Sequence, residues 1–341
     1  MPPDPERLRA VLIGTAIGDS VGLPAEGMSR KRIAKLGWNG AWRQRLFFGR
    51  GMCSDDTEHS VMVLQSILEA DGDVEVFRRR FARRLRWWLL GLPAGVGLAT
   101  ARAAIKLWCG VNPRRSGVFS AGNGPAMRSA IIGAYYADDA ERRAAFVEAS
   151  TALTHTDPKA LVGAMAIAEL AADPWVDDGE IVPMLCKLGC GDEEWEGLLE
   201  QMLASENVDG FVEAIGSGEG VSGYVYRTVP VAIFAWLTHR GNGTEVVEAV
   251  LDCGGDTDTV GAIAGALCGA SHGVESFRKE WLDQLMEWPR GIGFIERLAR
   301  CPRKIPKVFW GWLLLRNVCF LLVVIAHAGL RCLPGGLRLV R

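Results

Sequence analysis

The chain has 341 residues, of which 49% are hydrophobic and 23% charged, with a formal net charge of −2. This is the composition of a globular protein that is long enough to bury one large core. The near-zero net charge gives no indication of nucleic acid as a main partner. The nine cysteines include no CxxC pair, so we expect reduced cysteines in a cytoplasmic protein rather than a disulfide framework.

Helical periodicity dominates the chain. Apolar residues recur at i, i+3 and i+4 and predict helices over five segments: 56–70, 74–90, 126–137, 157–172 and 229–239. Glycine-rich stretches lie between these segments, and alternating strand patterns are scarce. We therefore expect an all-α fold, a single compact domain of many helices over residues 1–303, whose inter-helix loops gather the polar chemistry on one side.

The predicted helix 74–90 carries six arginines between positions 78 and 86. Such a run forms either a basic binding face or a solvated helix face. The aromatic and aliphatic residues that alternate with the arginines, among them Phe77, Phe81 and Leu85, favour the solvated face.

The C-terminal part of the chain, residues 304–341, is predicted to be a hydrophobic helical tail. Its apolar stretch 308–330 is long enough to span a bilayer at about 1.5 Å per residue, but Arg316 and Asn317 fall near its middle, where charge is costly in lipid. Basic residues flank the stretch at Lys304, Lys307 and Arg331. The stretch therefore either packs on the domain or associates with a membrane, and hydropathy alone leaves both open.

Two acidic clusters stand about 200 residues apart along the chain. One holds Asp256, Asp258 and Thr259 before a run of small apolar residues, and the other holds Ser54, Asp55 and Asp56 before a predicted helix. Buried carboxylates are costly unless they are paired or bound to metal. Helix N-capping explains one aspartate in each cluster but not two. Together the clusters offer four carboxylates, a hard-oxygen donor set for two divalent cations such as Mg²⁺, Mn²⁺ or Ca²⁺.

Six segments in a fixed order make the sequence resemble one known family. They are GTAIGDSVGLPAEG (14–27), CSDDTE (53–58), SAGNGPAMR (120–128), THTDP (154–158), SGYVYRTVPVAIFA (222–235) and GGDTDTVGAIAGAL (254–267). The chain resembles the ADP-ribosylglycohydrolases over about residues 8–300. The resemblance implies an all-α fold and the hydrolysis of the bond between ADP-ribose and an acceptor.

The resemblance also implies a dinuclear metal site in the inter-helix loops, with two Mg²⁺ or Mn²⁺ ions. By position, the implied ligands are Ser54, Asp55, Asp56, Asp256, Asp258 and Thr259. Serine at position 54, where the family more often has threonine, keeps the hydroxyl but lacks the methyl that restricts its rotamer. The small residues after Thr259 should let the predicted helix pack closely behind the site.

The same resemblance assigns catalytic and substrate-binding residues. Glu26 and Asp55 are the implied catalytic carboxylates, and Asp19 is expected to support the site. The implied contacts to ADP-ribose are Ser120, Gly122, Asn123, Gly124, His155 and Tyr224. A structural role is an equal alternative for His155, and a position in the core is an alternative for Tyr224. Asp157 is expected to cap a helix.

The function implied is a metal-dependent hydrolase that removes ADP-ribose from a protein side chain or a small molecule and acts as a monomer. One alternative is a catalytically silent ADP-ribose-binding or crystallin-like structural protein. A phosphohydrolase would fit the acidic clusters but not the order of the six segments. Because those segments end before residue 305, deletion of the tail is expected to leave activity intact.

Overall fold

Helices make up almost all regular structure in the computed structural model, which describes residues 3–332. The helices of the first half are α1 Pro5–Gly22, α2 Arg30–Leu36, α3 Asp55–Ala70, α4 Val74–Leu90, α5 Leu98–Trp108, α6 Ala130–Tyr135, α7 Ala140–Ala152 and α8 Pro158–Ala172. Those of the second half are α9 Asp178–Leu188, α10 Glu193–Ala204, α11 Val208–Ala214, α12 Val225–Thr238, α13 Gly243–Asp252, α14 Thr257–His272, α15 Lys279–Asp283, α16 Ile292–Ala299 and α17 Trp310–Cys332. The predicted all-α fold is confirmed.

The helices begin where the sequence supplies side-chain caps. Ser54 caps α3, Asp73 caps α4, and the Asp157 carboxylate accepts a hydrogen bond from the backbone N–H of Lys159 at the start of α8. Each cap satisfies backbone donors that have no partner inside the helix. The capping role expected of Asp157 is confirmed.

The predicted helix 126–137 is wrong in detail. The structure has a 3₁₀ turn over Ala126–Arg128, and then α6, only six residues long. Helix α6 packs closely on α8, since a Cβ on Gly133 would lie 2.1 Å from the carbonyl oxygen of Ala168.

The centre of the domain is the antiparallel pair α1 and α14, which are buried along almost their whole length. Their backbones touch: a Cβ added to Gly14 would lie 2.1 Å from the carbonyl oxygen of Gly265, and one added to Gly18 would lie 1.9 Å from that of Gly261. The predicted close packing of small residues behind the site is confirmed. This pairing brings the C-terminal end of α1 to the N-terminal end of α14.

A short antiparallel strand pair joins the segment after α1 to the segment before α14. Strand β1, Met28–Ser29, pairs with β2, Gly254–Gly255, with Met28 opposite Gly255. The backbone N–H of Gly27 also donates to the Gly255 carbonyl at 2.7 Å. The segment after α1 is therefore held beside the start of α14.

The C-terminal helix α17 packs on the domain through one face only. Arg316, Asn317, Phe320 and His327 are buried, whereas the residues on the opposite face are exposed. The predicted helical character of the tail is confirmed for residues 310–332, and residues 333–341 lie outside the described part of the chain. The domain boundary between residues 303 and 304 stays a prediction.

The glycine contacts between α1 and α14 make a stability prediction. Gly18→Ala would place a methyl group against the Gly261 carbonyl, so the two central helices must separate, and we expect unfolding free energy to fall by about 3 kcal/mol. Gly197→Ala in α10 is the matched control, because a Cβ there meets nothing within 4 Å. The control should gain up to about 1 kcal/mol from helix propensity. Urea titrations of both variants measure the difference, and equal stabilities would contradict the close approach.

Candidate active site

The first acidic segment is fixed at the N-terminus of α3 by a buried carboxylate from α1. Asp19 accepts hydrogen bonds from the backbone N–H of Ser54 at 2.9 Å and of Thr57 at 3.2 Å, and from the Thr57 hydroxyl at 2.5 Å. Burial raises the pKa of Asp19 to about 6, although these hydrogen bonds act in the opposite direction. Asp19 is thus occupied in holding the segment, in keeping with the supporting role expected of it.

Folding brings the two acidic segments together. The Ser54 hydroxyl donates to Asp56 Oδ2 at 3.0 Å, and the Thr259 hydroxyl donates to the same oxygen at 3.4 Å. Asp258 Oδ1 accepts from the backbone N–H of Thr259 at 3.0 Å. Residues about 200 positions apart in sequence thus share one hydrogen-bond network, which joins the starts of α3 and α14.

The network concentrates negative charge away from water. Burial raises the pKa of Asp55, Asp56 and Asp258, and the neighbouring carboxylates raise each of them further. Asp56 Oδ1 is buried and has no hydrogen-bond partner among the described residues. Such a cluster favours uptake of positive charge, either as protons or as a cation.

Within residues 3–332, no group of three or more His, Cys, Asp or Glu side chains has the arrangement of a formed metal site. The predicted dinuclear site is therefore not visible as a preformed cage. The residues nevertheless fit divalent cations by their chemistry. Their donors are carboxylate and hydroxyl oxygens, which hard cations prefer, and the unpartnered oxygen of Asp56 is a free donor inside the cluster.

Glu26 lies at the rim of this acidic cluster. It follows a 3₁₀ turn over Leu23–Ala25 at the end of α1, and its side chain is exposed. Partial desolvation, and then the charge of Asp256, raise the pKa of Glu26. A carboxylate that is open to solvent and beside buried charges is well placed to exchange a proton with a substrate.

The glycine loop predicted to bind diphosphate lies over His155. Ring atoms of His155 would be 3.0 Å from a Cβ on Gly122 and 3.2 Å from one on Gly124, so larger residues would displace the loop. Burial, and then the charge of Arg128, lower the pKa of His155 to about 3, so the ring is neutral at pH 7. These contacts show His155 supporting the loop. Its contact with ligand stays a prediction, as does that of the half-buried Ser120.

Asn123 connects the glycine loop to the second acidic segment. Its amide donates to Asp256 Oδ2 at 2.6 Å and to the Thr228 hydroxyl at 3.0 Å, while its backbone N–H donates to the Gly223 carbonyl. The loop and the acidic cluster are therefore parts of one site. The Asp256 carboxylate therefore has a hydrogen-bond partner, the Asn123 amide.

Tyr224 precedes α12 and is half-buried at the edge of the site. Its hydroxyl donates to Glu194 at 2.9 Å and accepts from the Lys159 ammonium at 3.0 Å. Tyr224 is therefore not a fully buried core residue, and its hydroxyl is held by two protein side chains. This polar group was not foreseen from the sequence, because Lys159 and Glu194 lie outside the segments that carry the resemblance.

Two buried arginines were also missed as supports of the site. Arg128 donates to Ser150 and Thr154, and it faces the His59 ring nitrogen at 3.2 Å. The available signal was its position in the segment SAGNGPAMR. A buried arginine needs several hydrogen-bond acceptors, and Ser150 and Thr154 supply them.

The second is Arg316 of α17, which binds the residue just before the first acidic segment. Its guanidinium donates to the Cys53 carbonyl at 2.6 Å and forms a bidentate pair with Glu287 at 3.0 and 2.6 Å. Glu287 in turn accepts from the backbone N–H of Cys53 at 3.0 Å. The ion pair therefore holds both backbone polar groups of Cys53. The signal was a lone arginine in an apolar stretch.

Comparison with known proteins identifies the family of the chain. The sequence model of the ADP-ribosylglycohydrolase family matches residues 1–309. An uncharacterised protein of Archaeoglobus fulgidus is 33% identical over 304 residues, covering 86% of this chain and 95% of the relative. The ADP-ribosyl-[dinitrogen reductase] glycohydrolase of Rhodospirillum rubrum is 26% identical, covering 82% and 90%. The ADP-ribosylhydrolase ARH3 of Gallus gallus is also 26% identical, covering 82% and 89%.

A solved structure titled "ADP-ribosylglycohydrolase-related protein complex" has the same fold. It matches with a TM-score of 0.60 and 24% identity over 88% of this chain and 98% of that chain. At that identity the structural match supports the fold alone, while the family match extends over most of the sequence. The chain belongs to the ADP-ribosylglycohydrolase family, whose members are hydrolases acting on glycosyl bonds.

Proposed function

We propose that this protein is a metal-dependent hydrolase that releases ADP-ribose from a modified protein side chain or an ADP-ribosylated small molecule. The observation that carries the proposal is the meeting of both acidic segments through Asp56 and Thr259, beside Glu26 and the glycine loop. Relatives named as hydrolases of ADP-ribosylated arginine or dinitrogen reductase support the substrate class.

Ser54, Asp55, Asp56, Asp256, Asp258 and Thr259 are the residues that would hold two Mg²⁺ or Mn²⁺ ions. Such ions, when bound, would polarise the ribose and would lower the pKa of a water molecule. The buried, mutually repelling carboxylates and the unpartnered Asp56 Oδ1 support this assignment.

Glu26 and Asp55 are the residues we assign to proton transfer. Glu26 is exposed at the rim, where it can reach the acceptor or the attacking water. Asp55 is half-buried beside the loop 91–97, since a Cβ on Gly95 would lie 3.4 Å from Asp55 Oδ1. A raised pKa suits Glu26 to general acid–base work.

The glycine loop would bind the diphosphate through the backbone of Gly122, Asn123 and Gly124 and the hydroxyl of Ser120. His155, neutral beneath the loop, holds its shape without adding charge. Tyr224, fixed by Lys159 and Glu194, would line the distal ribose and adenine. These residues would orient the substrate, and the acidic cluster would act on the other ribose, which carries the scissile bond.

The alternative, a silent ADP-ribose-binding or crystallin-like protein, has no observation in its favour. Both acidic segments and Glu26, the residues assigned to hydrolysis, are present. We also propose a cytoplasmic monomer, and the eight cysteines whose side chains the structure describes are all free. A panel of arginine- and serine-linked ADP-ribosyl peptides would identify the acceptor.

Glu26→Gln separates the enzyme from a protein that only binds. The change removes a proton-transfer group but leaves the glycine loop and the acidic segments in place. We expect hydrolysis to fall by about 10²–10⁴-fold, while calorimetry shows unchanged affinity for ADP-ribose.

Glu206→Gln is the matched control, because Glu206 is exposed outside the site, and it should hydrolyse substrate at the wild-type rate. Normal turnover by Glu26→Gln would transfer the proton-transfer role to Asp55. Tight ADP-ribose binding by the wild type without release from any acceptor would favour the silent protein.

A further inference from the structure

The outer face of α17 is apolar and exposed. Its residues Trp312, Leu315, Leu322 and Ile325 are 53%, 47%, 63% and 59% exposed. The only charged side chain between residues 310 and 330, that of Arg316, is buried against the domain. A continuous apolar face of this length on a folded domain is typical of a surface that binds another apolar phase.

The inner face of the same helix prevents it from spanning a bilayer while it is docked. Arg316 pairs with Glu287 and lies 3.8 Å from Glu58, and the Asn317 amide donates to the Gly91 carbonyl at 2.9 Å. These bonds hold the middle of α17 on the domain. The helix therefore lies along the surface, with only its outer side free for lipid, which is the arrangement of an interfacial helix.

A groove beside α17 adds positive charge to this surface. It has a volume of about 310 Å³ and lies between α4 and α17. Two carboxylates, Glu58 and Glu69, line it together with five cationic residues: Arg80, Arg83, Arg84, Arg290 and Lys307. Of these, Arg80 and Arg84 pair with Glu69. Within residues 3–332 the other three form no ion pair. Arg290, whose Nε is buried, lies near the carboxylates of Glu58 and Glu287, so the exposed cations without an ion pair are Arg83 and Lys307.

Tryptophans connect the groove to the apolar face. Trp310 donates through its indole N–H to the Trp87 carbonyl at 3.1 Å, and the two rings meet edge to face at 5.9 Å. Trp87 is 45% exposed on the α4 side. Tryptophan and arginine at the border of an apolar surface are typical of the boundary between lipid headgroups and acyl chains.

We propose that the face formed by α4 and α17 docks on an anionic phospholipid bilayer. The outer row of α17 enters the acyl boundary, and the exposed Arg83 and Lys307 bind the acidic headgroups. The excess of unpaired cations in the groove selects an acidic surface over a neutral one. The arginine run of α4, which the sequence favoured as a solvated face, thus contributes a basic binding edge.

Co-sedimentation of the full-length protein with vesicles tests the proposal. We expect binding to vesicles that contain phosphatidylserine, binding at least about tenfold weaker to vesicles of phosphatidylcholine alone, and weakening by high salt. Equal binding to both vesicle types, or no binding to either, would overturn the proposal.

Two sets of variants assign the binding to this face. Leu322→Glu combined with Ile325→Glu should weaken vesicle binding by at least about tenfold, whereas Leu203→Glu, at a site 70% exposed on α10, should leave it unchanged. Arg83→Ser combined with Lys307→Ser should reduce the preference for acidic lipid by about tenfold or more. The control for the second pair is Arg102→Ser, an exposed arginine of α5.

Sedimentation velocity without lipid distinguishes the bilayer from a second copy of the chain. The proposal expects a monomer for wild type and for the Leu322→Glu, Ile325→Glu variant. A dimer that the paired glutamates dissociate would overturn the proposal, because the apolar face would then be an interface between copies. Circular dichroism of each variant should match the wild type, since the changed side chains point to solvent.

Discussion

Asp258→Asn is expected to abolish hydrolysis and cation binding together. Asp258 is 5% exposed and lies at the N-terminus of α14. Burial, and then the charges of Glu26, Asp256 and Asp56, raise its pKa. An amide keeps the shape but removes the charge that two divalent cations would need. We expect turnover to fall by about 10³-fold or more, since bound cations would supply several kcal/mol of transition-state stabilisation.

The same substitution is expected to stabilise the metal-free protein. Without cations, four carboxylates repel one another in a buried cluster, so loss of one charge should raise the melting temperature measured in a chelator. Added Mn²⁺ should stabilise the wild type and have little effect on Asp258→Asn. Thermal melts with and without Mn²⁺, together with Mn²⁺ titration calorimetry, provide readouts that do not depend on activity.

Asp173→Asn is the matched control, because Asp173 is an exposed residue at the end of α8. It should match the wild type in turnover, cation affinity and both melts. If Asp258→Asn binds Mn²⁺ as tightly as the wild type, the second acidic segment is not a cation ligand. The hydrogen-bond network around Asp56 would then serve the fold alone.

Much of the fold follows from local sequence signals. The apolar periodicity predicts α3, α4, α8 and α12. Helix α4 buries one face, whereas α3 and α12 are buried almost all round. Ser54 and Asp157 each mark a helix start, because a side-chain oxygen satisfies free N–H groups. The predicted 126–137 helix was wrong in its extent, because apolar periodicity does not distinguish a 3₁₀ turn from an α-helical one.

The candidate site was predicted by a different kind of signal. Each acidic segment is short, and nothing in one segment specifies its distance to the other. Their meeting depends on the antiparallel contact of α1 and α14, which the small residues Gly18 and Gly261 permit. The resemblance of six ordered segments carried that long-range information, whereas composition and spacing alone left metal binding and capping as alternatives.

Supports that lie outside those segments had no comparable signal. Lys159 and Glu194 beside Tyr224, and Glu287 beside Cys53, look like ordinary surface charges in the sequence. Arg316 differs, since a single charge within an apolar stretch is costly in any apolar environment and so predicts a specific partner. The sequence could not name Glu287 as that partner, because the pairing depends on where α17 lies.

Arg316→Met is expected to destabilise the protein by about 4 kcal/mol, the scale at which breaking a buried ion pair leaves an uncompensated charge. Glu287 would stay buried without its partner, and the Cys53 carbonyl would lose its donor. Arg102→Met, an exposed arginine of α5, should cost little. Because Cys53 precedes Ser54, we also expect weaker Mn²⁺ binding in conditions where the variant is folded.

A double-mutant cycle separates the ion pair from its hold on the acidic segment. Arg316→Met combined with Glu287→Met removes both charges, so much of the lost stability should return. Mn²⁺ affinity should stay low, since neither variant side chain binds the Cys53 backbone. Recovery of both stability and Mn²⁺ affinity in the double variant would mean that the pair serves only the packing of α17.

Truncation at residue 305 extends the test to the whole helix. The order of the family segments led to the expectation of intact activity. The structure leads us to expect reduced activity, because α17 binds the domain through three contacts: Arg316 to Cys53, Asn317 to Gly91 and Arg331 to the Glu26 carbonyl. Three segments that border the site would lose their partners on α17. We expect the truncated protein to melt at a lower temperature and to need more Mn²⁺ for half-maximal hydrolysis. Wild-type melting and turnover would instead show that the catalytic domain ends at residue 303 and that α17 serves its outer face alone.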